Sequence, residues 1–88
     1  MEKNLISIII RTKNEERWIG LCISRIKKQS YKNFEIILVD SLSDDKTVEK
    51  AKRNGVEKII KIKEYKPGKA INMGIRASKG QYIVILSA

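Results

Sequence analysis

The chain of 88 residues contains no histidine and a single cysteine, and these absences exclude whole classes of chemistry. Without histidine there is no Ser-His triad, no Cys-His pair and no imidazole-ligated metal, so any acid–base or metal chemistry must run on Asp and Glu. One cysteine, Cys22, cannot close an internal disulfide; it falls on the apolar side of a predicted helix and reads as a small buried hydrophobe. The longest uninterrupted apolar run, Tyr82-Ile83-Val84-Ile85-Leu86, is a fraction of the roughly 20 residues that span a bilayer. Met1-Glu2-Lys3-Asn4 before so short an apolar stretch is not a signal peptide. A cytoplasmic location is therefore expected, with the inner membrane surface open to a full-length protein. Gly-x-Gly-x-x-Gly and Gly-x-x-x-x-Gly-Lys-Ser/Thr are also missing, so neither a Rossmann dinucleotide fingerprint nor a P-loop is present. No linker, low-complexity tract or internal repeat divides the chain, which is expected to form one domain.

What is present is an alternation. Hydrophobic residues make up 42% and charged residues 33%, the balance of a soluble globular chain. Leu5–Ile10 is continuous and β-branched, as a buried strand requires. A helix is predicted from Glu15 to Gln29, with Trp18, Ile19, Cys22, Ile23 and Ile26 on its inner face and Asn14 as its cap. Tyr31-Lys32-Asn33 turns the chain into a strand over Phe34–Val39. Asp44 or Asp45 can cap a second helix that runs to Asn54, with Val48 and Ala51 inward and Gly55 as its C′ residue. Ile59–Ile62 reads as a short strand, Lys69–Ser78 as a helix opened by Pro67-Gly68, and Tyr82–Leu86 as a fourth strand. Strands alternating with helices imply right-handed crossovers and a largely parallel sheet covered on both faces, a three-layer α/β fold. In that architecture the loops at Arg11–Glu15, Asp40–Asp45 and Lys63–Lys69, and the chain from Ser87 on, converge on one edge of the sheet.

That edge carries specific chemistry. Thr12, Asp40, Ser41 and Ser43 offer acceptors and hydroxyls for a base or a ribose. Arg11, Lys13, Lys66 and Lys69 offer cations for phosphate. Lys69 would stand in the first turn of a helix, against the dipole, where an anion would neutralise it. The alternative is a solvated loop. The net charge of +9 suits an anionic partner, although Lys27, Lys28 and the basic residues around the second helix fit helix ends and solvated faces.

Three passages resemble family 2 glycosyltransferases of the GT-A fold. Ile6-Ser7-Ile8-Ile9-Ile10-Arg11-Thr12-Lys13-Asn14-Glu15-Glu16 is similar to the family's opening "SIIIPTYNEE". Gln29-Ser30-Tyr31-Lys32-Asn33-Phe34 and the run through Val39-Asp40-Ser41 resemble "QTYKNFEIIVVDDGS". Gly68-Lys69-Ala70-Ile71-Asn72-Met73-Gly74-Ile75, followed by Ala77-Ser78-Lys79-Gly80-Gln81-Tyr82-Ile83, is similar to "G-x-x-x-A-x-N-x-G-I…A-x-G-x-Y-I". The resemblance covers essentially the whole chain in order. It implies a Rossmann-like half of a GT-A fold with sheet order 3-2-1-4, and transfer of a sugar from a nucleotide-diphosphate donor to an acceptor, expected to be inverting.

By the same resemblance Asp40 contacts the nucleotide base, and Thr12 and Glu15 line the nucleotide pocket. Lys69 to Asn72 pack beside the base and diphosphate. Arg11, Asn14, Ser41 and Ser87 complete the expected binding set. No catalytic residue is expected in this segment, since the acceptor half and the catalytic base lie outside it. Residues 1–88 are read as the N-terminal donor-binding part of the domain, ending at the Asp-x-Asp position and inactive alone. Two departures stand out. The family's proline after the first strand is Arg11, and the first aspartate of "LDADD", which holds a divalent cation, is Ser87. Mg2+ or Mn2+ is thus expected of a full-length relative, and no cofactor of this chain. The partners expected are a nucleotide-diphosphate sugar, an acceptor saccharide or lipid bound through the further part, and a second copy at an exposed sheet edge. No specific nucleic acid is expected. A non-catalytic nucleotide-binding module and a basic nucleic-acid binder are the alternatives, the latter without any aromatic-interleaved basic strand to support it.

Overall fold

The computed structural model describes residues 1–63 and 66–87, and of Pro67 only the backbone. The elements run β1 (Glu2–Thr12), α1 (Ile19–Lys27), β2 (Phe34–Asp40), α2 (Thr47–Arg53), β3 (Lys58–Lys61), α3 (Pro67–Ala77) and β4 (Gly80–Ser87). All strand pairings are parallel, in the order β3-β2-β1-β4. The chain steps outward from β1 to β2 to β3, then returns across both to pair β4 with the far side of β1. Right-handed crossovers with that reversal place α1 and α2 on one face and α3 on the other.

The run Ile8-Ile9-Ile10 feeds both faces because successive strand residues point opposite ways. Ile8, Ile10 and Leu38 pack with Ile19, Ile23 and Ile26 of α1 and Ala51 of α2. Ile9, Ile37 and Val39 pack with Ala70 of α3, flanked by Met73 and Ala77. Helix α3 lies close on the sheet because residue 74 is glycine. A Cβ there would come within 2.6 Å of Ile9 Cγ2.

Several element ends differ from expectation. Helix α1 begins at Ile19 rather than Glu15: the Trp18 and Ile19 N–H groups both donate to Glu15 O and close turns over residues 15–18, and Asn14 before them has a left-handed backbone (φ 54°). Asn14 is therefore not its cap; Trp18 holds that position without a side-chain bond and is 54% exposed rather than inward. Helix α2 begins at Thr47, with Lys46 rather than an aspartate in the cap position. Gly55 follows it with φ 89°, as a C′ residue should. Strand β3 pairs one residue earlier than the apolar run suggests, and β1 extends back to Glu2 through an irregularity containing Asn4 (φ 64°).

A polar cluster ties the amino-terminal edge together. Glu35 accepts from Lys58 Nζ at 2.6 Å, from the Lys79 N–H at 2.6 Å and from Ser7 Oγ. Ser7 Oγ in turn accepts from the Gly80 N–H at 2.8 Å. Strand β4 thus enters the sheet with its first residue pressed on β1. A Cβ on Gly80 would stand 2.5 Å from Ser7 Oγ and 2.7 Å from Leu5 O and Ser7 N, the last two being backbone atoms of a central strand that cannot give way. Gly80→Ala is expected to lower stability by about 2 kcal/mol or more, read as a lower urea midpoint; an unchanged midpoint would contradict this packing.

Candidate functional site

Parallel register brings the carboxyl ends of all four strands level. Thr12 pairs with Asp40, Asp40 with Lys61, and Arg11 with Ser87. Such an edge is where open α/β sheets bind ligands, at the point where strand order reverses, here between β1 and β4.

Asp40 is the hub. Its carboxylate accepts from Thr12 Oγ1 at 2.6 Å, from Ser43 Oγ at 2.5 Å and from the Ser43 N–H at 2.8 Å. Both Asp40 and Thr12 are only 1% exposed, so they form a fixed floor rather than a free surface. The Ser41 N–H donates to Thr12 O at 3.0 Å, which extends the strand ladder one residue past the end of β2. Above this floor the two loops are laced together. The Asn14 N–H donates to Ser43 Oγ (2.9 Å), the Asp44 N–H donates to Asn14 Oδ1 (2.8 Å), and Lys13 Nζ donates to Leu42 O (3.0 Å).

A second tie lies behind the first. The Glu15 N–H donates to Thr47 Oγ1 (2.8 Å) and the Glu16 N–H to Asp45 Oδ2 (3.1 Å), while Asp45 Oδ1 accepts the Thr47 N–H at 3.0 Å. Burial raises the Asp45 carboxyl, but the Thr47 hydroxyl and N–H and the Glu16 N–H outweigh it and hold its pKa below the ordinary value. Asp45 therefore joins the β1 loop to the start of α2 instead of acting as a simple cap. Thr47, fully buried, is the residue that sequence reasoning missed. Its signal is a hydroxyl two residues after an aspartate at a helix start.

The loop stores strain at Leu42, which has φ 46° and is 45% exposed. A left-handed backbone costs an L-residue with a side chain roughly 1–2 kcal/mol. Glycine stands at the matching place in the family's "VVDDGS". Leu42→Gly is expected to raise stability by about 1 kcal/mol after glycine's entropic penalty, measured by urea titration; a loss of stability would show that Leu42 is held by packing.

The remaining expected residues divide into two groups. Arg11 Nη2 donates to Ser87 Oγ at 2.5 Å across the β1–β4 gap. Lys69 and Asn72 lie exposed in the first half of α3, on the opposite face, with no bond to the loop network among the described residues. Helix α3 has no acidic residue in its first turn. The Lys63–Lys69 loop falls partly outside the described residues, as does Ala88. Divalent cations of the Asp-x-Asp kind need carboxylate oxygens. Position 87 instead offers a hydroxyl bonded to a guanidinium, and no three His, Cys, Asp or Glu side chains gather among the described residues. These residues do not fit such an ion.

A doubly wound half-sheet with its loops laced at the carboxyl edge is an open α/β domain of the kind that binds ligands at that edge. The chain belongs to glycosyl transferase family 2, whose family model matches residues 7–88. It is 38% identical over 93 residues to the dolichyl N-acetyl-alpha-D-glucosaminyl phosphate 3-beta-D-2,3-diacetamido-2,3-dideoxy-beta-D-glucuronosyltransferase of Methanococcus voltae, covering 97% of this chain and 29% of that protein. Among solved structures, S. aureus TarS 1-349 in complex with UDP superposes with a TM-score of 0.80 at 27% identity, covering 93% of this chain and 26% of that one. The mannosyltransferase PcManGT of Pyrobaculum calidifontis, in complex with GDP-Man and Mn2+, shares the fold with a TM-score of 0.85 at 24% identity, covering 93% and 26%. The chain spans between 12% and 37% of the length of curated relatives such as these. No helix among the described residues is long and apolar enough to cross a membrane.

Proposed function

We propose that this chain is the donor-binding segment of a glycosyltransferase that moves a sugar from a nucleotide diphosphate to an acceptor with inversion. The observation that supports it most is the Asp40 hub at the carboxyl edge, on a chain of this family. In this reading Thr12, Asp40 and Ser41 set the floor on which the base rests, Asn14 and Glu15 hold the rim, and Lys69 and Asn72 at the start of α3 face the phosphates. A cation at a helix start is tolerated where an anion sits between it and the free N–H groups. The acceptor, a saccharide or a lipid-linked sugar as the name of the Methanococcus relative suggests, would bind through a further part of the protein. That part would also supply the carboxylate that deprotonates the attacking hydroxyl. Pairing of two copies through the outer edge of β4, where Tyr82–Ile85 are exposed and uncharged, belongs to the same proposal.

Calorimetric titration of the 88-residue chain with UDP, GDP, CDP and dTDP tests the reading. One nucleotide is expected to bind clearly more tightly than the others, with no sugar transfer from the corresponding nucleotide sugar. Failure of all four to bind, with steeply salt-dependent binding of oligonucleotides instead, would contradict it. Ser87 favours a second reading, a nucleotide-binding module without turnover. It differs from the first in predicting no activity even in the longest natural form.

A further inference from the structure

We infer that Arg11 supplies the positive charge for the donor's diphosphate, so that diphosphate binding by this chain is independent of a divalent cation; this rests on the donor-binding reading above. Two departures from the family pattern meet in space. Arg11 replaces proline and Ser87 replaces aspartate, and their side chains are hydrogen-bonded to each other at the gap between β1 and β4. An aspartate at 87 would pair with Arg11 and cancel its charge, whereas serine orients the guanidinium through a neutral acceptor and leaves the charge unspent.

Arg11 takes part in none of the three ion pairs found among the described residues. Its Nε is shielded from water with no hydrogen-bond partner there. A guanidinium is always charged, and its fork of donors matches two phosphate oxygens at once. Two carboxylates of the same sheet edge are committed elsewhere, Asp40 to Thr12 and Ser43, and Asp45 to Thr47 and Glu16. A divalent ion placed beside Ser87 would face this guanidinium with no carboxylate at position 87 to hold it.

The test compares UMP with UDP, and GMP with GDP, by calorimetry on the 88-residue chain in EDTA and again with Mn2+. The diphosphate is expected to bind more tightly than the monophosphate of the same base in EDTA, and Mn2+ to change its affinity by less than about twofold. Arg11→Gln should weaken the diphosphate about tenfold and leave the monophosphate unchanged. Ser87→Asp, at an exposed position that the fold does not need, should weaken the diphosphate in EDTA as well. Arg11→Lys should keep part of the advantage, and thermal melts establish that each variant is folded. A diphosphate advantage that appears only with Mn2+, or that survives Arg11→Gln in a folded protein, would overturn the inference. If the monophosphate binds and the diphosphate adds nothing, this inference alone fails; if neither binds, the donor-binding reading fails with it.

Discussion

Glu35→Ala is expected to destabilise the chain by roughly 3 kcal/mol at pH 7, the lower end of what breaking a buried ion pair costs. Three donors converge on this carboxylate: Lys58 Nζ, Ser7 Oγ and the Lys79 N–H. The Glu35 side chain is mostly buried and Lys58 about a third exposed, which is why the lower end applies. The cluster joins β1, β2, β3 and the entry to β4, so its loss loosens the whole amino-terminal edge. Burial on its own would raise the Glu35 pKa. The bonds from Lys58, Ser7 and Lys79 outweigh it and hold the pKa below the ordinary 4.5. A carboxyl depressed in the folded state stabilises above its unfolded pKa, and that contribution disappears as pH falls through the folded value. The difference between wild type and Glu35→Ala should therefore be constant from pH 7 to about 5 and shrink below about 4.5. Urea melts at several pH values measure it. A gap that stays constant to pH 3 would show that the charge of Glu35 contributes nothing.

Asp40→Ala carries the second large effect. It strands Thr12 Oγ1 at a fully buried position and the Ser43 N–H and Oγ at a partly buried one. Each buried orphan costs about 1–3 kcal/mol, and partial relaxation of the loop brings the expected total to roughly 2–4 kcal/mol. Nucleotide affinity should fall with it, because the β1 and β2 loops lose their common anchor. Asp40→Asn separates the two roles. The Thr12 and Ser43 hydroxyls can rotate to accept from an amide, so this variant should keep more of the stability. If Asp40 also contacts the base through its charge, Asp40→Asn will still bind poorly while folding well. Equal recovery of stability and affinity would make Asp40 a positioning residue only.

The strands were legible because Ile8-Ile9-Ile10 and Ile36–Val39 are apolar runs that a sheet covered on both faces buries. Tyr82–Leu86 is a run of the same kind and also forms a strand, but at the sheet edge, where Tyr82–Ile85 stay exposed. The edge was legible for the same reason, since each run stops at a polar residue and parallel strands all stop on one side. What escaped local reading was set by partners distant in sequence. Asn14 has a helix-capping side chain, but its Oδ1 is taken by the Asp44 N–H thirty residues on, and its backbone turns left-handed to reach it. Trp18 fits the helical period, yet the helix starts one residue later and leaves the ring outside. Strand β3 shifted because its register with β2, not its own apolarity, fixes where it begins. Glu35 is the one charge inside the run Phe34–Val39, but nothing near it in the chain announces Lys58 or Lys79 as partners.

The central claim is that the nucleotide sits on the carboxyl edge of the sheet, over the Asp40 hub. Amide chemical-shift mapping by NMR, with the tightest-binding nucleoside diphosphate added to isotopically labelled chain, tests it most directly. The predicted result is a set of shifts confined to Arg11–Glu15, Asp40–Asp45, the start of α3 and Ser87. Shifts centred instead on Glu35, Lys58 and Lys79 at the opposite edge would contradict the account.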